Sequence, residues 1–198
     1  MIRTDRLEIV PVSIDLARAE IGDRSKFSEL LGASVPDNWP PETLAEALGF
    51  FLDLLERNPS WSGWLGWYAL LRTGRDVDKG SGLDPDGGPS DTEWMTKNRV
   101  LVGSIGFMGA PDDAGDLEIG YSVLPQYQGR GYASEMARGL IRWAFGHPTV
   151  LRVMAQTTPD NLGSVGVLRK LGFTSVGQGS DPASIKFALV NPVSNVTG

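Results

Sequence analysis

A glycine-rich turn between a predicted strand and a predicted helix is the feature that most constrains this chain. The run from Tyr121 to Ala133 reads YSVLPQYQGRGYA. Gly129 and Gly131 let the backbone adopt conformations that a Cβ would hinder, so consecutive N–H groups can converge on one point. The helix that begins near Ala133 adds its own N–H groups and the positive end of its dipole, and Arg130 adds a full charge. The sequence therefore predicts an anion-binding turn that fits a pyrophosphate.

Three anion-binding motifs are candidates for this turn. A Walker loop requires GxxxxGK followed by Ser or Thr, and the chain contains no such run. A dinucleotide fingerprint requires GxGxxG, but Ser134 stands at the third glycine position, where a side chain would crowd the helix against the strand. The third pattern begins with Gln or Arg and is satisfied by Gln128, Gly131 and Ala133, with an overlapping copy from Gln126. Because such turns also occur for purely structural reasons, the function depends on the rest of the chain.

A second informative segment covers residues 151–173. Leu151, Val153 and Ala155 alternate with more polar residues, which is typical of a strand. Asn161 is a good N-cap for a following helix, and Gly172 can end that helix in the left-handed conformation. The segment is therefore predicted to form a strand followed by a short helix.

Together the two segments resemble the GNAT superfamily of acyl-CoA-dependent N-acyltransferases, in particular the RimJ/RimL-like branch of ribosomal-protein N-terminal acetyltransferases. The runs that carry the resemblance are IGYSVLPQYQGRGYASE and TPDNLGSVGVLRKLGF, and it extends from TDRLEIVPV over nearly the whole chain. It implies a mixed α/β (α+β) fold with a central mixed, largely antiparallel sheet of six to seven strands and about four helices. Two parallel strands, residues 117–124 and 151–158, are then expected to splay apart and hold acyl-CoA between them.

The resemblance also implies where the acyl donor, acetyl-CoA, binds. Its pantetheine amides would pair with the backbone of residues 121–124, and its pyrophosphate would lie in the turn formed by residues 128–134. The predicted cofactor-binding residues are Tyr121, Ser122, Val123, Leu124, Gln128, Gly129, Arg130, Gly131, Tyr132, Ala133, Ser134, Asn161 and Ser164.

Acyl transfer to an amine requires a base for the ammonium proton and a hydrogen-bond donor for the thioester oxyanion. Glu118 is the candidate base, since it lies just before the bulge expected in the cofactor strand. A carboxyl half-buried beside apolar residues can have its pKa raised enough to accept a proton. Alternatively, Glu118 occupies a solvated strand face or pairs with an Arg. The backbone N–H of Val123 is the candidate oxyanion donor.

The leaving thiolate also requires a proton. Many relatives have a Tyr seven residues after the Asn, but here that position is Leu168. Ser164 is the nearest hydroxyl and the candidate acid, although it could equally be an ordinary residue of the first helical turn.

The acceptor is expected to be a primary amine, either a peptide N-terminus or a small molecule, that enters over the first two helices. Trp39, Phe50 and Phe51 are the candidate residues for binding it. Three further tryptophans, Trp61, Trp64 and Trp67, follow at a spacing of three, and they form either an aromatic binding face or part of the core.

Composition limits the remaining function classes. A length of 198 residues fits a single domain, residues 1–198. The absence of cysteine excludes disulfides, thiolate metal sites and a cysteine acyl-enzyme, and the single His147 is expected to cap a helix end, so no metal is predicted. The net charge of −6 argues against nucleic acid and is compatible with a cationic amine. Without an apolar run of membrane-spanning length or a secretory signal, we expect no membrane association and a cytoplasmic location.

The segment 74–98 is rich in Gly, Pro and acidic residues and is predicted to be a long exposed loop. A solvated hairpin extension, a substrate lid and the contact of a homodimer are its alternative interpretations. Two functions also stay open. Glu118 favours an active N-acetyltransferase, whereas Leu168 leaves room for an acyl-CoA-binding sensor without turnover.

Overall fold

The computed structural model describes residues 1–73 and 98–192, and a single sheet forms the centre of that part of the chain. Residues 74–97 of the predicted loop at 74–98 lie outside the described residues. Eight strands are found in the described ranges: β1 (Ile2–Arg3), β2 (Leu7–Pro11), β3 (Gly66–Arg72), β4 (Arg99–Phe107), β5 (Asp116–Val123), β6 (Arg152–Thr157), β7 (Thr174–Gln178) and β8 (Ile185–Val190). Their order is β1-β2-β3-β4-β5-β6-β8-β7, and only β5 and β6 pair in parallel.

This mixed, largely antiparallel sheet confirms the predicted fold class, with a corrected number of strands. The additional strand is β1, which pairs with β2 at the sheet edge over two residues. A segment that short cannot display the alternation by which strands are detected in a sequence. The two strands predicted at residues 117–124 and 151–158 correspond to β5 and β6.

Six α-helical segments accompany the sheet in the described ranges: α1 (Ile14–Gly22), α2 (Arg24–Leu31), α3 (Glu42–Ala45), α4 (Leu48–Arg57), α5 (Tyr132–Phe145) and α6 (Leu162–Lys170). Helix α2 was not predicted, although Asp23 caps its N-terminus and Gly32 ends it with a φ of 62°. Both residue types are ordinary helix-boundary signals, so the sequence did contain the information. No helix in the described part has the length and apolar character needed to cross a bilayer.

The two faces of the sheet carry different helices. On one face, Leu117, Ile119 and Val123 of β5 pack in a core that includes the buried stripe of α5. That stripe contains Met136, Ala137, Leu140, Ile141 and Ala144, which recur at helical spacing. Each large apolar side chain buried in this way contributes about 1.5–3 kcal/mol. The first turn of α5 is thus fixed against the end of β5.

The other face is covered by α1 and α2 over a second core that includes Phe27, Tyr68 and Leu70. Because side chains alternate along a strand, the even-numbered residues of β5, namely Glu118, Gly120 and Ser122, point to this second side. The two sides of β5 therefore have different surroundings: one packs against α5, and the other lies on the side of α1 and α2.

The parallel strands separate soon after they meet. Pairing between β5 and β6 covers Asp116, Leu117 and Glu118, and it ends there although β5 continues to Val123. This splay agrees with the predicted fold. The bulge expected in the cofactor strand is absent, since β4 and β5 stay in register from Gly103 opposite Val123 to Phe107 opposite Ile119.

Candidate active site

The glycine-rich turn has the backbone geometry that the sequence predicted. Gly129 and Gly131 have φ angles of 72° and 83°, in the left-handed region that favours glycine. Gly131 is the N-cap of α5 and offers no side-chain acceptor to the first N–H groups of that helix. Those N–H groups consequently lack a capping side chain, and groups of this kind are suited to bind an anion.

Two predicted cofactor-binding residues can contribute only through their backbone. The side chains of Tyr132 and Ser134 are buried in the first turn of α5. Gln128 instead uses its side chain to tie the turn to the strand, since its Nε2 donates to the carbonyl of Val123 at 2.8 Å. Arg130 is exposed at the tip of the turn.

An arginine that is distant in the sequence, Arg6, is hydrogen-bonded to the turn and to the first turn of α5. Nε of Arg6 donates to Oε2 of Glu135 at 2.7 Å, and its Nη1 donates to the carbonyl of Arg130 at 3.0 Å. Thr4 adds a hydrogen bond of 2.6 Å to Glu135. Burial alone would raise the pKa of the Glu135 carboxyl, but the hydrogen bonds from Thr4 and Arg6 and the charge of Arg6 outweigh it and lower the pKa. Glu135 therefore stays ionised and keeps Arg6 beside the turn.

Beyond Glu118 a gap separates the strands β5 and β6. The backbone of β5 faces this gap at every second residue. Met108 donates to the carbonyl of Glu118 at 3.0 Å, and Leu124 donates to Val102 at 2.9 Å, so even-numbered residues of β5 pair with β4. In an antiparallel ladder this alternation turns the N–H groups of Tyr121 and Val123 the other way, toward β6. Since β6 has already diverged, these groups line the gap.

The first turn of helix α6 is tied to β5 by a hydrogen bond. The Asn161 side chain caps this helix by accepting from the Ser164 N–H at 3.1 Å. The phenol of Tyr121 donates to the Ser164 carbonyl at 3.4 Å, which brings the start of α6 beside β5. Burial raises the pKa of Tyr121, so the phenol is protonated at neutral pH. Leu168 is fully buried and takes no part in this group.

Glu118 lies at the point where the two parallel strands separate. Both of its carboxylate oxygens are 3.0 Å from Nε2 of Gln156, a residue of β6. The side chain is half-buried and lines a polar groove with Met108, Met154 and Lys186. Glu118 therefore lies at the start of the gap. The hydrogen-bond partner of its carboxylate is the amide of Gln156 and not an Arg.

A largely apolar cavity of about 360 Å³ lies between the sheet and the helices α1, α3 and α4. Leu44 of α3 and Leu48, Phe51 and Leu55 of α4 recur at near-helical spacing, and all four line the cavity. Gly120, Tyr121 and Ser122 form its wall at the cofactor strand, and Met108 is shared with the groove that holds Glu118. The cavity thus connects the helices to the site of the expected chemistry.

The predicted acceptor-binding aromatics have three different environments. Phe51 lines the cavity, whereas Phe50 is 62% exposed and lies outside the lining. Trp39 is buried behind the cavity, where its indole Nε1 donates to Glu20 at 2.7 Å. Only Phe51 has direct access to a ligand in the cavity.

The tryptophans spaced by three belong mainly to the core. Trp64 packs against Trp143 with ring centroids 4.8 Å apart, and Trp67 packs against the same ring at 5.3 Å. His147 completes the cluster and donates from Nδ1 to the Trp143 carbonyl at 3.0 Å, which confirms the predicted helix cap. In the described ranges, no group of three or more His, Asp or Glu side chains is arranged to hold a metal ion.

Several residues of the site carried no recognisable signal in the sequence. Arg6 contacts Glu135 across 129 positions, and Gln156 contacts Glu118 across 38. Glu20 accepts a hydrogen bond from Tyr68 that spans 48 positions. Such contacts depend on strand order and helix packing, which local patterns do not encode.

Comparison of the chain with known proteins identifies a family and individual relatives. The family model of the acetyltransferase (GNAT) domain matches residues 34–174. The Bacillus subtilis protein YjdG, an uncharacterized N-acetyltransferase, is 30% identical over 173 residues, which is 87% of this chain and 89% of YjdG.

Solved structures show the same fold. A GNAT-family acetyltransferase from Bacillus anthracis is 20% identical, with a TM-score of 0.56 over 96% of this chain and 98% of that one. RimL, a ribosomal α-N-protein acetyltransferase crystallised with coenzyme A, is 17% identical, with a TM-score of 0.56 over 94% and 95% of the two chains.

Proposed function

Because the chain belongs to the GNAT family of acetyltransferases, we propose that it transfers the acetyl group of acetyl-CoA directly to a primary amine. One observation carries this proposal. The glycine-rich turn lies between β5 and α5, the strands β5 and β6 separate after Glu118, and the carboxylate of Glu118 lies where that gap begins. A donor and an acceptor can therefore meet at one end of the apolar cavity.

The residues present fit acetyl-CoA. The turn at Gly129 and Gly131 suits its pyrophosphate, because backbone N–H groups and the dipole of α5 favour an anion there. The gap-facing backbone of Tyr121 and Val123 suits the amides of the pantetheine arm. When bound, acetyl-CoA supplies a thioester whose C–S bond breaks as the new C–N bond forms.

Glu118 is the proposed base. An ammonium must lose a proton before its nitrogen can attack a carbonyl, and a carboxylate within reach, directly or through one water, can accept that proton. The hydrogen bonds from Gln156 hold the Glu118 carboxylate at the start of the gap. A positioned base of this kind contributes typically about 10²–10⁴-fold to the rate.

Two further roles complete the mechanism. The N–H of Val123, which faces the gap, is the proposed donor to the oxyanion that develops on the attacked carbonyl. Ser164 is the proposed donor of a proton to the departing sulfur, and Tyr121, whose phenol lies at the same helix turn, is a second hydroxyl in this position.

Direct transfer predicts a specific kinetic pattern. Since the chain has no cysteine to form an acyl-enzyme, we expect both substrates to be bound before the acetyl group moves. Initial rates measured over a matrix of acetyl-CoA and amine concentrations are expected to give intersecting double-reciprocal lines. Release of free coenzyme A from a panel of amines is the assay. Parallel lines together with an acetylated enzyme detected by mass spectrometry would refute direct transfer.

The acceptor is proposed to be an amine at the end of a chain, such as a peptide N-terminus. The RimL structure is that of an α-N-protein acetyltransferase, and the net charge of −6 would attract a basic peptide. We expect a peptide with a free N-terminus and an internal lysine to be acetylated at the N-terminus. Mass spectrometry of the product reports the position.

Salt provides the control for this expectation. If electrostatic attraction assists capture, the second-order rate constant for a basic peptide should fall as salt is added, because screening limits the field to about 8 Å at physiological ionic strength. A neutral peptide of the same length should show little change. Acetylation of the lysine alone, or of small amines alone, would contradict the N-terminal assignment.

A further inference from the structure

The cavity beside the cofactor strand contains a single charged side chain among its described lining residues, that of Glu20. Glu20 extends from α1, and the rest of the lining is apolar apart from hydroxyl and backbone groups. A carboxylate in such surroundings is costly unless it is hydrogen-bonded and paired with a cation. Its presence therefore requires an explanation.

The hydrogen bonds of Glu20 satisfy only part of this requirement. Tyr68 donates its phenol to Oε2 at 2.5 Å, and the indole of Trp39 donates to Oε1 at 2.7 Å. Both donors are neutral, and no ion pair joins Glu20 to any Lys, Arg or His within residues 1–73 and 98–192. Each carboxylate oxygen can accept a further hydrogen bond. Burial raises the pKa of Glu20 against the opposing effect of these two hydrogen bonds, as expected for a charge that lacks a cation.

The register of the sheet relates Glu20 to the site of transfer. Tyr68 on β3 is opposite Ser104 on β4, and Ser104 is opposite Ser122 on β5. These three side chains share the cavity face of the sheet and form a row that ends at the cofactor strand. Two strand spacings separate β3 from β5, about 10 Å. Glu20 is thus too far from the gap to act on the reacting amine.

We propose that Glu20 is the anionic subsite for a second cationic group of the acceptor, at the opposite end of the cavity from the amine that becomes acetylated. This inference rests on the proposed function and specifies the class of acceptor. The acceptor carries a primary amine, an apolar spacer that fills the cavity between Leu48, Phe51 and the sheet, and an ammonium or guanidinium that pairs with Glu20. Tyr68 and Trp39 are positioning residues that keep the carboxylate directed into the cavity.

Two sources can supply such an acceptor, and one pair of probes tests each. For small molecules the pair is octamethylenediamine, which is long enough to span the distance of about 10 Å between β3 and β5, and octylamine, which lacks the second amine. For peptides the pair carries Lys or norleucine at the second position behind the same N-terminal residue, with every other amine blocked. The ratio of kcat/KM within a pair isolates the contribution of the distal cation.

In the wild-type protein, the dicationic member of at least one pair is expected to have a kcat/KM about tenfold or more above its partner, since hydrogen bonds to charged groups are the strong ones. In Glu20→Gln this ratio is expected to fall to about one for the peptides and to about two for the diamine, whose two ends are equivalent. Asp15→Asn removes the same charge from an exposed position of the same helix, so it is the matched control and should keep the wild-type ratio. Tyr68→Phe should lower the ratio to an intermediate value.

A binding measurement separates this inference from the proposed function. In the presence of free coenzyme A no transfer can occur, and octamethylenediamine or the Lys peptide should raise the melting temperature more than its monocationic partner, in wild type but not in Glu20→Gln. That result without turnover would support the subsite while contradicting the acetyltransferase proposal. Turnover of both members of each pair at equal kcat/KM, or a ratio that survives Glu20→Gln, would overturn the subsite and leave the proposed function intact.

Discussion

Replacing Glu118 with Gln is expected to lower the turnover number by about a hundredfold or more near neutral pH, because a positioned general base contributes typically about 10²–10⁴-fold. The substitution preserves the shape of the side chain and one oxygen that can accept from Gln156, so the fold at the start of the gap should persist. Steady-state release of coenzyme A with a saturating amine measures the effect. Acetyl-CoA affinity should change little, since the turn at Gly131 is a separate part of the site.

The pH dependence distinguishes a base from a structural carboxylate. The wild-type rate should fall as the pH is lowered, since removal of a proton from the ammonium is part of the reaction. In Glu118→Gln the shape of this acidic limb should change and most of the activity should be lost, because the amide cannot accept that proton. Asp113→Asn, which removes a carboxylate from the exposed turn between β4 and β5, is the control and should retain both the rate and the limb. A profile for Glu118→Gln that is parallel to the wild-type profile would assign Glu118 a structural role.

Acetyl-CoA is expected to raise the melting temperature by about 5 to 10 °C at a hundredfold excess over its dissociation constant, since ligand bound only to the native state adds about 2.7 kcal/mol. ATP and NADP, which would occupy a Walker loop or a dinucleotide site, should have little effect at the same concentration. A shift with NADP alone would contradict the acyl-CoA assignment of the turn.

A substitution at Gly131, the N-cap of α5, tests directly whether the turn is responsible for the thermal shift with acetyl-CoA. Gly131→Val places a β-branched residue at a φ of 83°, a conformation that such side chains rarely adopt. The backbone must then leave the arrangement in which its N–H groups converge, and the shift with acetyl-CoA should disappear. Gly22→Ala is the matched control, because a Cβ there meets nothing within 4 Å and φ is not in the left-handed region. An undiminished shift in Gly131→Val would show that the turn does not hold the pyrophosphate.

Much of the fold could be predicted from local patterns. The alternation of Leu117, Ile119 and Val123 and the helical stripe from Met136 to Ala144 reflect periodicities that each segment carries by itself. The two-residue strand β1 was missed because it is shorter than any such period. Helix α2 was missed despite its capping residues, and the predicted bulge in β5 was wrong because it was carried over from the resemblance.

Only part of the candidate site could be predicted from local sequence patterns. The glycine turn, Glu118, Asn161 and Ser164 belong to short motifs, so the sequence indicated them directly. The aromatic residues were harder to assign, because burial decides whether a ring binds a ligand or packs in a core. Phe51 faces the cavity and its neighbour Phe50 faces solvent, although the two are adjacent in the sequence.

What the sequence by itself determined about this protein is the backbone shape of the glycine-rich turn, because the φ angles available to Gly129 and Gly131 and the start of α5 are properties of a few consecutive residues. Only the tertiary structure decided which charges accompany that turn and the cavity. Arg6 reaches Glu135, and Tyr68 reaches Glu20, through the order of the strands and the packing of helices upon them. These contacts join residues far apart in the chain, and their free energies depend on burial and distance, which exist only once the chain has folded.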